Sequence, residues 1–183
     1  MQVVELSPQL MTESSFAPFG EVFGAVAAAD ARQMVPTRFS HDGDVTLNVI
    51  WQPYAERRFS KLERHFGVTQ GFVQLSGAPA VVCVAPATDQ QDLKAIPAAQ
   101  SVRAFRINPE LGYLFHRGTW HSLDRYLLAE PSATFLIVNV APNPTQIVDY
   151  ASGRNEMHAD LDTSSADALG HYGGEPVEFH ITS

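Results

Sequence analysis

The stretch LERHFGVTQGFVQLSG, residues 62–77, decides the fold. It reads as β-strand, yet it carries Glu63 and His65 two positions apart, then Gln70, and then Gly77 at a turn. Because alternate residues of a strand point to the same side, Glu63 and His65 can share one interior. An acid and an imidazole are costly to bury unless they are paired or bind a metal. The stretch therefore predicts a strand with a polar site on its inner side.

Short apolar runs, several of them alternating with polar residues, recur on both sides of this stretch, with Gly and Pro between them. They predict an all-β sandwich or barrel. The runs GFVQLSG and AVVCVAP, separated by Gly77 and Pro79, predict a tight hairpin. A single helix is predicted before the C-terminal part, over residues 12–17 with Thr12 as its cap. The other strand candidates are VTLNVIWQ (45–52), SVRAFRI (101–107), GYLFH (112–116) and ATFLIVNV (133–140).

The chain of 183 residues is long enough for one domain with a real core. After Asp149 the sequence becomes polar, Gly-rich and acidic. We therefore expect a β-barrel domain over residues 1–150. Residues 151–183 are expected to form a C-terminal extension that packs on the barrel or on a partner subunit, or is partly disordered.

Charge and cysteine content restrict the partners and the compartment. The net charge is −8, from 12 basic and 20 acidic residues, which disfavours nucleic acid and anionic membranes. A small anionic substrate stays possible, because one local arginine can outweigh a distant acidic surface. The single Cys83 lies in an apolar run and fits a reducing compartment. With no secretion signal and no apolar stretch of ~20 residues, we expect a cytoplasmic protein.

A second polar cluster, HRGTWH at residues 116–121, follows the strand candidate GYLF. If the strands close into a small barrel, both clusters reach one cavity. An acid, an amide and two or three imidazoles form a mixed set of N and O donors without thiolate. Such a set suits a first-row divalent metal such as Ni, Mn, Fe or Zn.

The spacing of these two clusters resembles the two motifs of the cupin superfamily. The first cupin motif, His-x-His, three or four residues, Glu, six residues, Gly, matches Glu63-x-His65, four residues, Gln70, six residues, Gly77. The second, Pro-x-Gly-x-x-His, matches His116-x-Gly118-x-x-His121. The replacements of His by Glu, Glu by Gln and Pro by His are similar to those of one cupin subfamily, the ureidoglycolate lyases of purine and allantoin breakdown. The similarity extends from about residue 16 to about residue 142 and does not cover the C-terminal extension.

The resemblance implies a cupin jelly-roll barrel with short peripheral helices, a homodimer, and a lyase that cleaves ureidoglycolate to glyoxylate and urea. It also implies a divalent ion, with Ni favoured and Mn, Zn or Fe as alternatives. The expected metal ligands are Glu63, His65, His121 and Gln70. The expected catalytic residues are His116, Glu63 and Gln70, and the expected substrate-binding residues are Arg38, Gln70 and Trp120.

Four of these assignments stay open. Gln70 could bind metal or substrate, His116 could act as acid or base or only shape its turn, and Trp120 could be core. The carboxylate of the substrate could be held by Arg38, because its planar guanidinium suits a carboxylate. The competing arginines are Arg57, Arg58, Arg64 and Arg117, of which Arg64 should face away from the cavity.

Two other functions remain open from the sequence. One is a different small-carboxylate cupin enzyme, either an amidohydrolase that releases ammonia or an isomerase. The other is a non-catalytic cupin that binds a small carboxylate. Cupins host many chemistries, so the fold alone does not choose among them.

Overall fold

The structure is a computed structural model that describes residues 1–24, 34 and 36–182. Strands dominate the described chain, with one short α-helix and one 3-10 helix. The helices are α1 (Glu13–Phe16) and the 3-10 helix Ala99–Ser101. The strands are β1 (Gln2–Leu6), β2 (Gln9–Leu10), β3 (Gly20–Phe23), β4 (Asp44–Pro53), β5 (Arg58–Phe59), β6 (Lys61–His65), β7 (Gly71–Gly77), β8 (Ala80–Ala85), β9 (Arg103–Arg106), β10 (Gly112–Phe115), β11 (Trp120–Ser122), β12 (Tyr126–Leu127), β13 (Ser132–Ala141), β14 (Thr145–Asp149), β15 (Arg154–His158), β16 (Ala166–His171) and β17 (Val177–Ile181).

The strands form three sheets. A five-stranded sheet has the order β3-β10-β7-β13-β4, and a nine-stranded sheet has the order β16-β15-β14-β6-β11-β8-β9-β2, with β12 paired to β8. The third sheet, β1-β17-β5, has three strands. The all-β, cupin-like prediction is therefore confirmed.

Two hydrophobic clusters lie on opposite faces of the nine-stranded sheet. One includes Phe72 and Phe135 of the five-stranded sheet, and the other includes Phe179 of the three-stranded sheet. Strand β8 contributes to both clusters, with Val82 in the first and Val81 in the second. A strand buried on both faces reads as a continuous apolar run, which explains the sequence AVVCVA.

The predicted hairpin between β7 and β8 is wrong. Strand β7 pairs with β10 and β13, whereas β8 pairs with β9, β11 and β12 of the other sheet. The chain turns from one sheet to the other at Gly77, which has φ +96°. A Cβ there would lie 2.3 Å from the carbonyl oxygen of Ser132, so this corner requires glycine. The glycine and proline residues predict the turn correctly, but they carry no information about which sheet the next strand joins.

The predicted helix near residues 12–17 is confirmed as α1. Thr12 caps it, since the Ser15 backbone N–H donates to Thr12 Oγ1 at 3.1 Å and the Thr12 N–H donates to Ser15 Oγ at 3.0 Å. The helix buries Phe16 completely in the first hydrophobic cluster. Over the described residues, the structure contains no helix with the length and apolar character needed to cross a membrane.

Residues after Asp149 add strands to two of the sheets. Strand β15 pairs with β14, and β16 pairs with β15. Strand β17 runs parallel to β1 and buries Val177 and Phe179. Between β15 and β16 the chain is held against the barrel, because the Leu161 N–H donates to the Asn143 carbonyl and the Asn143 N–H donates to Asp160 Oδ1.

Candidate active site and metal centre

Three adjacent strands of the nine-stranded sheet build the polar site. Strand β6 lies between β14 and β11, so Glu63 is directly opposite His121 on one side and Ile147 on the other. His65 is directly opposite Thr145. The side chains of these residues on three neighbouring strands therefore lie close together. Glu63 and His65 share one face of β6 because alternate residues of a strand point to the same side.

Glu63, His65 and His121 form one buried cluster. Glu63 Oε1 lies 3.7 Å from His65 Nε2 and 3.6 Å from His121 Nδ1. The possible ligand atoms of the three residues all lie within 4.8 Å of one another. The exposed fractions are 7% for Glu63, 3% for His65 and 1% for His121. A carboxylate and two imidazoles at this spacing could hold a divalent cation.

Hydrogen bonds fix which nitrogen of each imidazole carries the proton. His121 Nδ1 donates to the Ser122 carbonyl oxygen at 3.1 Å, because a carbonyl can only accept. Thr145 Oγ1 donates to the Asn143 carbonyl, so it accepts from His65 Nδ1 at 2.8 Å. Both Nε2 atoms then carry a lone pair, and both are buried without a hydrogen-bond partner. Buried lone pairs without partners are costly, and a bound cation would satisfy them.

Burial favours the uncharged form of all three groups when no cation is bound. It raises the pKa of Glu63 to about 7, against the lowering influence of the Arg125 charge. Burial lowers the pKa of His65 to about 3, and the Arg125 charge lowers it further. The pKa of His121 is also well below its usual value because of burial, His65 and Arg125. Metal ions bind the neutral form of imidazole, and these surroundings favour that form of both histidines.

A cavity of about 450 Å³ lies between the two large sheets, and Glu63 is the residue of the cluster that lines it. Its polar lining also includes Gln70 and, on β13, Asn139. Gln70 Oε1 and Asn139 Oδ1 are both buried acceptors without a partner. Its other lining residues are Asn48, Ile50, Gln52, Phe72, Leu123, Arg125, Phe135, Ile137, Ile147, Leu161 and Asp162.

Backbone hydrogen bonds join the two sequence motifs. The Phe115 N–H donates to the Gln70 carbonyl at 2.9 Å, and the Gly118 N–H donates to the His65 carbonyl at 2.9 Å. Gly118 has φ +76°, which gives the turn before β11 the geometry that brings His121 beside Glu63. The Phe115 ring stacks on the His121 ring at 4.3 Å between centroids and fixes its plane.

The structure does not bring the other predicted site residues to this cluster. His116 is exposed, with Nε2 3.3 Å from the Ala17 carbonyl. Trp120 is fully buried in the second hydrophobic cluster, where its Nε1 donates to Thr88 Oγ1 at 3.1 Å. Arg38 is exposed, and its backbone N–H donates to Glu21. None of the three lines the cavity of the described residues.

The competing arginines also lie elsewhere. Arg64 is on the opposite face of β6, as its phase predicts, and its Nε donates to Gln146 at 2.8 Å. Arg117 pairs with Asp42 at 2.5 Å, and Arg58 pairs with Glu56 at 2.5 Å. Arg57 lines a different surface pocket.

Sequence reasoning missed Arg125, the arginine that does line the cavity. It lies in the turn between β11 and β12 and is 5% exposed. No spacing pattern in HSLDRYL identifies it, since it belongs to neither motif. Leu161 and Asp162, from the C-terminal extension, were missed for the same reason.

A small β-barrel in which an acid and two imidazoles form one buried cluster beside a cavity defines a cupin-like protein. Comparison with known proteins gives the family. The family model described as ureidoglycolate lyase matches residues 3–158. The chain belongs to the ureidoglycolate lyase family.

Several curated relatives have the same name. The "Ureidoglycolate lyase" of Pseudomonas aeruginosa (strain UCBPP-PA14) is 30% identical over 153 residues, which cover 76% of this chain and 84% of the relative. That of Stutzerimonas stutzeri (strain A1501) is 30% identical over 166 residues, covering 82% and 90%. That of Pseudomonas entomophila (strain L48) is 30% identical over 155 residues, covering 76% and 85%.

Proposed function

We propose that this protein is a metal-dependent ureidoglycolate lyase that cleaves ureidoglycolate to glyoxylate and urea. Family membership supports the substrate. The observation that carries the chemistry is the buried cluster of Glu63, His65 and His121, whose two Nε2 lone pairs have no partner. Glu63 of this cluster lines a cavity of about 450 Å³, large enough for a small carbinolamide.

The reaction breaks one C–N bond and adds no water. The hydroxyl group loses its proton as its carbon becomes the aldehyde carbon of glyoxylate. The electron pair of the C–N bond moves to the ureido nitrogen, which gains a proton and departs as urea. The site must therefore accept a proton from oxygen and supply one to nitrogen.

His65, His121 and Glu63 would hold the divalent ion, and Gln70, whose buried Oε1 has no partner among the described residues, is the proposed fourth ligand. A divalent ion bound there would act as a Lewis acid on the substrate hydroxyl and lower its pKa. Nickel is the metal we favour from the family resemblance, with Mn, Zn or Fe as alternatives. The absence of thiolate ligands in the cluster fits all four metals.

Glu63 is the group we assign to proton transfer. Its carboxyl has two oxygens, and Oε1 faces the imidazoles, which leaves Oε2 for the substrate. The free oxygen of the Glu63 carboxylate would accept the hydroxyl proton and return it to the departing ureido nitrogen. His116 was the other predicted base, but its exposed position outside the cavity favours Glu63.

The ureido end of the substrate carries N–H donors and needs acceptors. Asn139 Oδ1 and Gln70 Oε1 are buried acceptors without partners on the wall of the cavity. We therefore assign them to the ureido group, with Gln70 contacting either the metal or the substrate. Arg38 and Trp120 lie outside the cavity, so we do not assign them a substrate contact.

A homodimer is part of the proposal. Strand β4 is the edge of the five-stranded sheet among the described strands. Its Leu47, Val49 and Trp51 are 69%, 62% and 65% exposed. A long apolar edge strand pairs readily with a second copy of itself about a two-fold axis. The alternate residues Asn48, Ile50 and Gln52 line the cavity, so pairing through β4 would also steady one wall of the site.

We also propose that the protein works in the cytoplasm without a nucleic-acid or membrane partner. Cys83 is buried and free, as a reducing compartment allows. The acidic net charge of −8 supports the absence of a polyanionic partner.

Product analysis tests the proposed reaction against the amidohydrolase alternative. The protein is loaded with Ni²⁺ or Mn²⁺ and incubated with racemic ureidoglycolate. We expect glyoxylate and urea in equal amounts, at a rate above that of the spontaneous reaction. Release of ammonia instead of urea would identify an amidohydrolase, and binding without turnover would identify a non-catalytic binder.

A further inference from the structure

Arg125 is a buried cation with no anionic partner among the residues that the structure describes. Its Nε donates to the Tyr113 hydroxyl at 2.8 Å, and its Nη1 donates to the Ser122 carbonyl at 3.2 Å. Its Nη2 is buried and has no hydrogen-bond partner. None of the ion pairs among the described residues includes Arg125. A buried charge is normally paired, so this guanidinium is arranged for an anion that arrives from outside.

The position of the Arg125 guanidinium is fixed before any ligand binds. Its central carbon lies 4.0 Å from the centroid of the Phe72 ring and 5.7 Å from that of Phe115. The turn that carries it is held by Ser122, whose hydroxyl donates to the Asp124 carbonyl and accepts the Cys83 N–H. A guanidinium held between aromatic rings and two acceptors loses little conformational entropy when it binds an anion.

Arg125 borders the cavity that reaches the proposed metal site at Glu63. It lines that cavity together with Glu63 and Gln70, and its charge affects the pKa values of Glu63, His65 and His121. It also borders a second cavity of about 500 Å³, where Glu56, Asp124 and Glu178 supply negative charge. The second cavity has three lining carboxylates, whereas the first has two, Glu63 and Asp162, and Glu63 belongs to the proposed cation site, so the first cavity is the less unfavourable one for an anion.

We infer that Arg125 binds the carboxylate of the substrate and selects for small 2-hydroxy acids over their neutral analogues. This inference rests on the proposed function, which requires a carboxylate next to the reacting carbon. A substrate bound there through its carboxylate would lie in the cavity that Glu63 and Asn139 also line.

The inference is tested with Arg125→Gln, Arg125→Lys and a matched control, Arg106→Gln. Arg106 is exposed on β9 and does not line the cavity. Two measurements are made on each folded, metal-loaded protein: kcat/KM for ureidoglycolate, and the Kd of glycolate compared with that of glycolamide. Glycolate and glycolamide differ only in carboxylate versus carboxamide, so their ratio isolates recognition of the charge.

We expect Arg125→Gln to weaken glycolate binding and lower kcat/KM by about 10- to 100-fold, the usual effect of removing a charge-assisted hydrogen bond. Its affinity for glycolamide should change by less than about twofold, since a neutral amide gains little from the charge. Arg125→Lys should retain part of the preference for glycolate, and Arg106→Gln should retain all of it. A purely structural role for Arg125 would weaken both ligands equally, and that result would overturn the inference.

The two proposals fail in different ways. Protein that binds glycolate through Arg125 but does not cleave ureidoglycolate contradicts the lyase proposal and leaves the carboxylate site intact. Protein that cleaves ureidoglycolate with an unchanged Arg125→Gln variant contradicts only the Arg125 assignment. If both Arg125 variants fail to fold, the Kd values of glycolate and glycolamide are compared on wild-type protein treated with chelator. Equal affinity for the two ligands would overturn the inference.

Discussion

At the scale of the residue, the site depends on three polar side chains that are expensive to bury alone. Glu63 shows this most clearly, because burial raises its pKa from 4.5 to about 7. The fold therefore tolerates its protonated form, whereas the ionised form needs a cation nearby. The same side chain destabilises the metal-free fold when it is ionised, and it is a ligand in the proposed metal site.

The pH dependence of stability follows from this shift. The folded, metal-free protein keeps the Glu63 proton up to about pH 7, whereas the unfolded chain loses it near pH 4.5. The stabilising contribution of protonated Glu63 is complete below pH 4.5 and is lost as the pH rises through 7. Glu63→Gln removes this titration. In chelator, we expect the stability of the variant relative to wild type to be higher at pH 8 than at pH 5, by ~1–3 kcal/mol.

Urea unfolding of both proteins at the two pH values measures this difference. The histidines titrate in both proteins, so their contribution largely cancels in the comparison. A difference in the free energy of unfolding that does not change with pH would show that Glu63 is not buried as the structure has it.

At the scale of the element, β14 orients a ligand that belongs to β6. Thr145 lies directly opposite His65 and accepts from its Nδ1 at 2.8 Å. The Thr145 hydroxyl in turn donates to the Asn143 carbonyl at 2.9 Å. This chain of hydrogen bonds holds the lone pair on His65 Nε2, so Thr145 is a positioning residue.

Replacing Thr145 tests this role. Thr145→Val keeps the shape of the side chain and removes the acceptor, and we expect metal affinity to fall about 10- to 100-fold. Thr145→Ser restores the hydroxyl and should restore the affinity. Metal titration of both variants against wild type gives the result. Equal metal affinity in all three proteins would show that Thr145 only packs against the histidine.

The sequence predicts the structure best where a feature depends on a single strand. The period of two in β6 placed Glu63 and His65 on the same face and Arg64 on the other, as the structure shows. Contacts between elements that are distant in the sequence cannot be predicted from the pattern of a single strand. The turn at Gly77 predicts a hairpin, but the strand that follows it joins the other sheet.

The substrate contacts show the same limit. Arg38 was predicted from its position in the resemblance, but it lies outside the cavity that Arg125 lines. Arg125 enters through a turn after β11 and Leu161 through a segment held by Asn143. Both depend on tertiary packing that no local pattern encodes.

At the scale of the whole molecule, strand β4 links the proposed dimer to the cavity. Light scattering of the wild-type protein should give about twice the chain mass of 20.0 kDa. Val49→Glu places a charge on the exposed apolar face, so we expect it to give a monomer. Leu10→Glu is the matched control, because Leu10 is 60% exposed but lies on β2 of the other large sheet. A dimer that survives Val49→Glu and dissociates with Leu10→Glu would place the interface elsewhere.

The claim on which the molecule's function depends is that Glu63, His65 and His121 form one metal centre at which ureidoglycolate is cleaved. The most direct test is a titration of chelator-treated protein with Ni²⁺ or Mn²⁺ in which bound metal and urea release are measured together, with His121→Ala alongside. We predict that activity rises in proportion to bound metal up to about one ion per chain, and that folded His121→Ala neither binds the ion tightly nor releases urea. Full activity in the metal-free protein, or in folded His121→Ala, would contradict the account.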